Sequence, residues 1–260
     1  MNDFQGRFLW YELMTTDTGK GAKFYTSLLG WTTEAWDNEM GPYTMFVNGE
    51  TPMAGMMVLP AEAKVQGAPP NWLGYTGVAD VDATVSRVQS LGGHVVAGPM
   101  DIPTVGRIAV LADPQGAVFA VYTPLEPAPS EGMPPVGNFA WHELGTTDPD
   151  AALAFYSDIF GWEILIEHHM GGGTLYKIFG KGGSPPLGGM YAKPPERPGP
   201  PAWLYYVLVD DVATLVPRVT ALGGRVLNGP MEVPDGGVVA QCLDPQGAAF
   251  ALYSNATRDR

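Results

Sequence analysis

The chain has 260 residues, 45% of them apolar and 16% charged, which describes the packed interior of one large or two ordinary domains rather than a disordered polymer. Fourteen Lys and Arg stand against 27 Asp and Glu, and the resulting formal charge of −13 repels phosphate backbones and anionic lipid, so nucleic-acid and membrane partners are not expected. The opening MNDFQGRFLWYEL has no basic segment followed by a long apolar run, no stretch approaches the roughly 18 apolar residues of a membrane span, and the lone Cys242 cannot form an internal disulfide, so the expected setting is the reducing cytoplasm.

In chain order, Phe8 to Thr15 reads as an alternating strand. Asp17 follows as a candidate N-cap for an amphipathic helix through Phe24, Tyr25 and Leu28, with Trp31 at its exit. Short β-rich runs such as YTMFV at Tyr43 come next, divided by Gly and Pro. A second strand starts at Asn71, and Val81, Val85, Val88 and Leu91 recur at spacings of four and three on one helix face, with Gly92 suited to a left-handed cap. RIAVLA at Arg107 and DPQGAVFAVY at Asp113 complete the pattern. Each half therefore reads as βαβββ.

The whole series then repeats. FLWYELMTTD from Phe8 returns as FAWHELGTTD from Phe139, and the offset between Trp10 and Trp141 persists through AKFYTSLLGW and LAFYSDIFGW, the LGG at Leu91 and Leu222, GPMDIP and GPMEVP, and the two DPQG segments at Asp113 and Asp244. A constant offset through five blocks indicates duplication of a complete domain. The expected division is residues 1–125, a Pro-rich linker at 126–137 with its boundary near Ser130, and residues 138–260.

TTDxxxGAKFYTSLLGW and DPQGAVFAVY resemble the opening and closing signatures of the vicinal-oxygen-chelate superfamily, which includes glyoxalases, bleomycin-resistance proteins and extradiol dioxygenases; the narrower resemblance is to tandem glyoxalase-like proteins often labelled hydroxylases. It implies an α+β fold of two tandem domains, each of two βαβββ units forming a curved sheet around a cavity. Many members hold a divalent metal there. The resemblance places ligand positions at Trp10, Trp141, Leu73, Leu204, Ala120 and Ala251, none of which offers a coordinating atom, so neither metal nor cofactor is expected. His142 and Glu143 are strand neighbours that point to opposite faces, and His142 reads as a satisfied structural polar group. His168 and His169 read as exposed at a hairpin tip before Gly171.

Alternation puts Trp10 with Glu12, and Trp141 with Glu143, on what the resemblance makes the cavity face; the same parity adds Tyr75 and Tyr206, with Tyr122 and Tyr253 on the closing strands. Glu12 and Glu143 are the candidate catalytic carboxylates, since a shielded carboxylate beside indole can serve as acid or base. The alternative is that they cap backbone donors or contact the other domain. FY…GW reads as core, DPQG as structural turns, GKGGSPP as a loop and Cys242 as a buried thiol. Met53, Met56, Met57 and Met190 read as an adaptable apolar wall or as ordinary core. The expected function is binding of a small apolar or aromatic molecule in a metal-free cavity by a monomer or homodimer. A metal-independent enzyme using a cavity Glu is the alternative, and a metal-dependent lyase or dioxygenase with displaced ligands is disfavoured.

Overall fold

A computed structural model of the chain describes residues 4–36, 41–126, 132–170, 175–196 and 199–255. The expected boundary at Ser130 and the glycines at Gly171 to Gly173 lie outside them. The first copy runs β1 (Phe8–Thr15), α1 (Thr18–Leu29), β2 (Thr32–Trp36), β3 (Tyr43–Asn48), β4 (Thr51–Val58), α2 (Ala61–Val65), β5 (Asn71–Gly77), α3 (Val81–Ser90), β6 (His94–Ile102), β7 (Gly106–Ala112) and β8 (Val118–Pro124). The second runs β9 (Phe139–Thr146), α4 (Pro149–Phe160), β10 (Glu163–His169), β11 (Leu175–Gly180), β12 (Gly188–Ala192), β13 (Ala202–Leu208), α5 (Val212–Ala221), β14 (Arg225–Glu232), β15 (Val238–Leu243) and β16 (Ala249–Ser254). Each copy is thus βαβββ twice over, an α+β arrangement with one eight-stranded sheet per copy, in the order β2-β3-β4-β1-β5-β8-β7-β6 and its equivalent. Among the described residues no helix is long and apolar enough to cross a membrane.

Apart from α2, which follows Pro60 without a side-chain cap, the helices begin where a side chain can accept their first orphan amides. Asp17 accepts from the Lys20 amide, Asp80 from Ala83, Asp148 from Asp150 and Ala151, and Asp211 from Ala213. At the other end of α3, Gly92 takes φ +89°, a left-handed conformation that costs glycine no Cβ clash.

Packing divides the chain differently from the repeat. One compact unit comprises Met1–Leu9, Leu73–Met133 and Trp141–Leu204, the other Trp10–Trp72, Pro134–Ala140 and Tyr205–Arg260, so each unit draws on both copies. In the first, Val81, Val85 and Val88 of α3 and Phe119 of β8 share a core with Tyr156 and Phe160 of α4, Trp162 and Phe179. In the second, Tyr25, Trp31, Phe46, Trp72 and Phe250 form an aromatic core with ring centroids 5.2 to 6.3 Å apart, distances at which edge-to-face packing adds to the burial gain.

The FY…GW and DPQG blocks, both expected to be structural, meet inside these units. In the first unit Asp113 closes its own turn by accepting from the Gln115 and Ala117 amides at 2.9 Å, and its second oxygen accepts from the Tyr156 hydroxyl at 3.1 Å. Trp203 Nε1 donates to that same hydroxyl at 3.2 Å. Gln115 reaches over to the start of α4, accepting from Thr146 Oγ1 at 2.8 Å and the Asp148 amide at 2.6 Å. The second unit repeats the device with Tyr25 on Asp244 at 3.2 Å, Trp72 on Tyr25 at 2.8 Å and Gln246 on the Asp17 carbonyl at 2.8 Å. Burial raises the pKa of Asp113 and Asp244, and the bonds they accept pull against that rise. Replacing Tyr156 by Phe removes the oxygen that Asp113 and Trp203 use while leaving the ring. Tyr156→Phe is therefore expected to cost about 1–3 kcal/mol in urea unfolding, the penalty for leaving buried polar groups short of a partner; an unchanged midpoint would contradict this account.

Candidate functional site

On β1, Leu13 is fully buried beneath Gly21 of α1, beside Met56, while Trp10, Glu12 and Met14 point to the other side of the strand. Glu12 is only 8% exposed. The Trp10 indole donates to the Tyr43 hydroxyl at 2.9 Å, and that hydroxyl is hydrogen-bonded to the Glu12 carboxylate. An indole N–H can only donate, so the phenol accepts from Trp10 and gives its own proton to Glu12. The second copy builds the same chain: Trp141 Nε1 donates to Tyr176 Oη at 2.9 Å, and Tyr176 Oη donates to Glu143 Oε2 at 3.1 Å. Burial first and the neighbouring carboxylate second raise the pKa of Tyr43 and Tyr176, which keeps both phenols protonated as donors.

The phenols come from two strands away, and a glycine lets them reach. Gly55 pairs with Glu12 on one side and Met45 on the other, and a Cβ there would lie 1.7 Å from Tyr43 Oη. Gly189 pairs with Glu143 and Ile178, and its Cβ would lie 2.2 Å from the Tyr176 ring. Each tyrosine therefore lies flat across a strand that lacks a side chain at that point.

Of the residues singled out from the sequence, the structure brings Trp10 together with Glu12, and Trp141 with Glu143, each pair through a tyrosine that alternation alone did not select. Tyr43 and Tyr176 recur at a spacing two residues longer than the rest of the repeat, so the signal available was an aromatic opening YTMFV and YKIFG rather than the constant offset. Tyr206 accepts from Gln241 Nε2 at 2.9 Å, both buried. Tyr75 is buried on β5, in register with Ala120. Tyr122 donates to the Val105 carbonyl at 3.2 Å, and Tyr253 to Asp235 at 3.1 Å, with its pKa pushed up to about 12 by burial and then by that aspartate.

His142 is buried on the helix side of β9, stacked on Phe8 at 3.6 Å, with Nδ1 2.5 Å from the Leu187 carbonyl. His168 corrects its sequence reading: it is half-buried within β10, in register with Tyr176, while His169 is exposed. Met56 and Met190 are fully buried in the helix-side cores, so the four methionines do not form one wall. Burial pushes the Cys242 thiol up to about 12, which leaves it a protonated, inert group. Two surface grooves of about 260 and 490 Å³ are lined by helical residues such as Arg87, Asp158 and Arg218 and contain none of the Trp–Tyr–Glu residues.

The donor set does not fit the metal that the superfamily commonly holds. Leu73, Ala120 and Ala251 are buried hydrocarbon, Trp10 and Trp141 use their N–H on tyrosine, and Leu204 has no donor. Among the described residues no group of three or more His, Cys, Asp or Glu could hold a metal ion.

Comparison with known proteins agrees with the architecture. The profile of the Glyoxalase/Bleomycin resistance protein/Dioxygenase superfamily matches residues 7–121 and again 138–252. CFP32 of Mycobacterium tuberculosis, whose name assigns it provisionally to the glyoxylases, is 35% identical over 260 residues, covering 97% of this chain and 96% of its own. DnrV of Streptomyces peucetius, named an anthracycline biosynthesis protein, is 33% identical over 256 residues, covering 94% and 91%. A variant of homoprotocatechuate 2,3-dioxygenase from Brevibacterium fuscum shares the fold with a TM-score of 0.68 at 15% identity, over 98% of this chain and 73% of that one. The Mn(II)-bound glyoxalase from Novosphingobium aromaticivorans does so with a TM-score of 0.62 at 14% identity, over 100% and 85%.

Two outcomes follow from this geometry. Gly189→Ala drives a methyl into the Tyr176 ring and should cost about 1–3 kcal/mol and change the near-ultraviolet circular dichroism of the Trp141–Tyr176 pair, whereas Gly132→Ala, which meets nothing within 4 Å, should do neither. Burial lowers the His142 pKa to about 3. Below the ordinary value of roughly 6.5 the unfolded chain takes up a proton that the folded chain refuses, so this contribution is intact above that pH and is lost as pH falls toward 3, on the order of 1 kcal/mol per unit. Urea unfolding between pH 7 and 4 should show a shallower decline for His142→Gln than for the parent; parallel declines would refute the assignment.

Proposed function

We propose, from the premise that the chain belongs to the Glyoxalase/Bleomycin resistance protein/Dioxygenase superfamily, that it binds a small aromatic molecule on its Trp–Tyr–Glu faces and needs no metal ion to do so. The observation that carries this reading is the Trp-to-Tyr-to-Glu hydrogen-bond chain, built twice from the same residue types. Indole and phenol supply flat apolar area at little cost in side-chain entropy, and a carboxylate already fed by a tyrosine is a fixed acceptor that orients a donor on the ligand. Tyr75, Tyr122, Tyr206 and Tyr253 are further ring surface in this proposal. A relative named for anthracycline biosynthesis supports an aromatic ligand class. The proposed setting is cytoplasmic, with the protein acting as a monomer or homodimer.

A second reading is a metal-independent glyoxalase-like enzyme in which Glu143 or Glu12 takes a proton from the bound molecule. What favours it is the Tyr176 hydroxyl donating to Glu143 Oε2, because a buried carboxylate held as an acceptor is arranged for general-base work. Incubating the full chain with a metabolite extract, followed by mass spectrometry, separates the two. Retention of an unchanged aromatic molecule supports binding, and catalytic depletion supports the enzyme. Glu12→Gln and Glu143→Gln should each weaken that interaction by about tenfold, the loss of one charge-assisted hydrogen bond. Unchanged binding and turnover in both variants, or a stoichiometric metal whose removal abolishes binding, would overturn the proposal.

A further inference from the structure

The two Trp–Tyr–Glu faces have the same centre and different surroundings. Opposite Tyr43 in the β2–β3 pair stands Trp36, whose ring meets the tyrosine edge-on at 5.6 Å. Opposite Tyr176 in the β10–β11 pair stands His168. Beyond the glutamate, Met14 pairs with Met57 across β1 and β4, whereas Gly145 pairs with Tyr191 across β9 and β12. That last exchange is coupled: a Cβ on Gly145 would lie 3.0 Å from Tyr191 Oη, so the small residue makes the space over which the second phenol lies. Tyr191 and Tyr176 run nearly parallel, 19° apart with centroids at 6.2 Å. Cross-strand partners share a face, so these substitutions ring the same centre in each copy. One face is bordered by indole and the thioethers of Met14, Met45 and Met57, with Glu34 on its edge strand, the other by imidazole and a second phenol, with Ile178 and Ile166 where the first has Met45 and Glu34.

We infer that the copies have diverged in ligand chemistry: the β9–β12 face takes an aromatic molecule carrying hydroxyl groups, and the β1–β4 face takes an unsubstituted, apolar ring system. This rests on the binding function proposed above and adds which face takes which ligand. A hydroxylated ring offers donors to the Glu143 carboxylate and can bond a neighbouring phenol or imidazole. On the first face the Glu12 carboxylate answers such groups, with the exposed Glu34 in line with it across Met45 and Gly55 on the edge strand, whereas a hydroxyl set against the thioethers of Met14 or Met57 loses its water without replacement.

Isothermal titration of the full chain with 1,5-dihydroxynaphthalene and with naphthalene tests this. The expected result is one equivalent of dihydroxynaphthalene bound at least about tenfold more tightly than any second equivalent, since one net hydrogen bond is worth about that factor. Tyr191→Phe, which removes a single oxygen, should weaken that equivalent about tenfold and leave naphthalene binding unaltered. The double exchange Gly145→Met with Tyr191→Met should abolish the preference, and Met14→Gly with Met57→Tyr should raise the number of tight sites to two. Two equal sites in the parent, or a preference that survives Tyr191→Phe, would sink the assignment while leaving the binding reading standing. Binding of neither probe would overturn both.

Discussion

A phenol that has to cross a strand to reach a carboxylate sets the conditions for the rest of the site. Tyr43 and Tyr176 start two strands away from Glu12 and Glu143, and the strand between them must lack a side chain at one point, where Gly55 and Gly189 stand. Once the ring lies in that gap its hydroxyl has few directions left. The indole N–H of Trp10 or Trp141 fixes the lone pair, and the proton goes to the carboxylate. The polarity of the face follows from this ordering: its donor groups are engaged with one another, and the carboxylate is what they present. An ordinary strand glycine would cost stability without return, so its placement under a tyrosine in both copies ties a backbone feature to the chemistry above it.

Much of the fold was legible because it was written twice. The recurring interval between Trp10 and Trp141, the candidate cap at Asp17 and the valine spacing of α3 are local signals, each matched by the element found there. Strand parity also separated His142 from Glu143, since neighbours on a strand face opposite ways. What the sequence did not disclose depends on cross-strand register. Tyr43 and Tyr176 sit after hairpins of unequal length, so they fall out of step with the repeat, and no spacing rule says that a glycine two strands over will receive their rings. His168 departs from its sequence reading for the same reason, because its place opposite Tyr176 emerges only once β10 and β11 are paired.

The absence of a family-type donor set separates scaffold from chemistry. Solved structures of the same fold include a dioxygenase and an Mn(II)-bound glyoxalase, whereas the positions that the sequence resemblance marks for ligands hold indole, isobutyl and methyl groups in this chain. A fold fixes where side chains converge, and the side chains decide what they can do there. In this chain they converge as hydrogen-bonded aromatic groups around a carboxylate.

The Tyr–Asp clasp of each compact unit joins the helix of one copy to the closing turn of the other, Tyr25 to Asp244 and Tyr156 to Asp113. A single copy severed from its twin would lose Phe250 from beside Tyr25, or Phe119 from beside Tyr156 and Phe160, and would bare apolar surface that the other copy covers. Tethering the repeats turns what would be a bimolecular encounter into an intramolecular one, at an effective concentration set by the connecting segment rather than by expression level. Duplication followed by fusion thus frees the assembly from dilution. It also leaves each copy free to change its own surface residues without imposing the same change on its mate, which identical subunits of a symmetric pair cannot do.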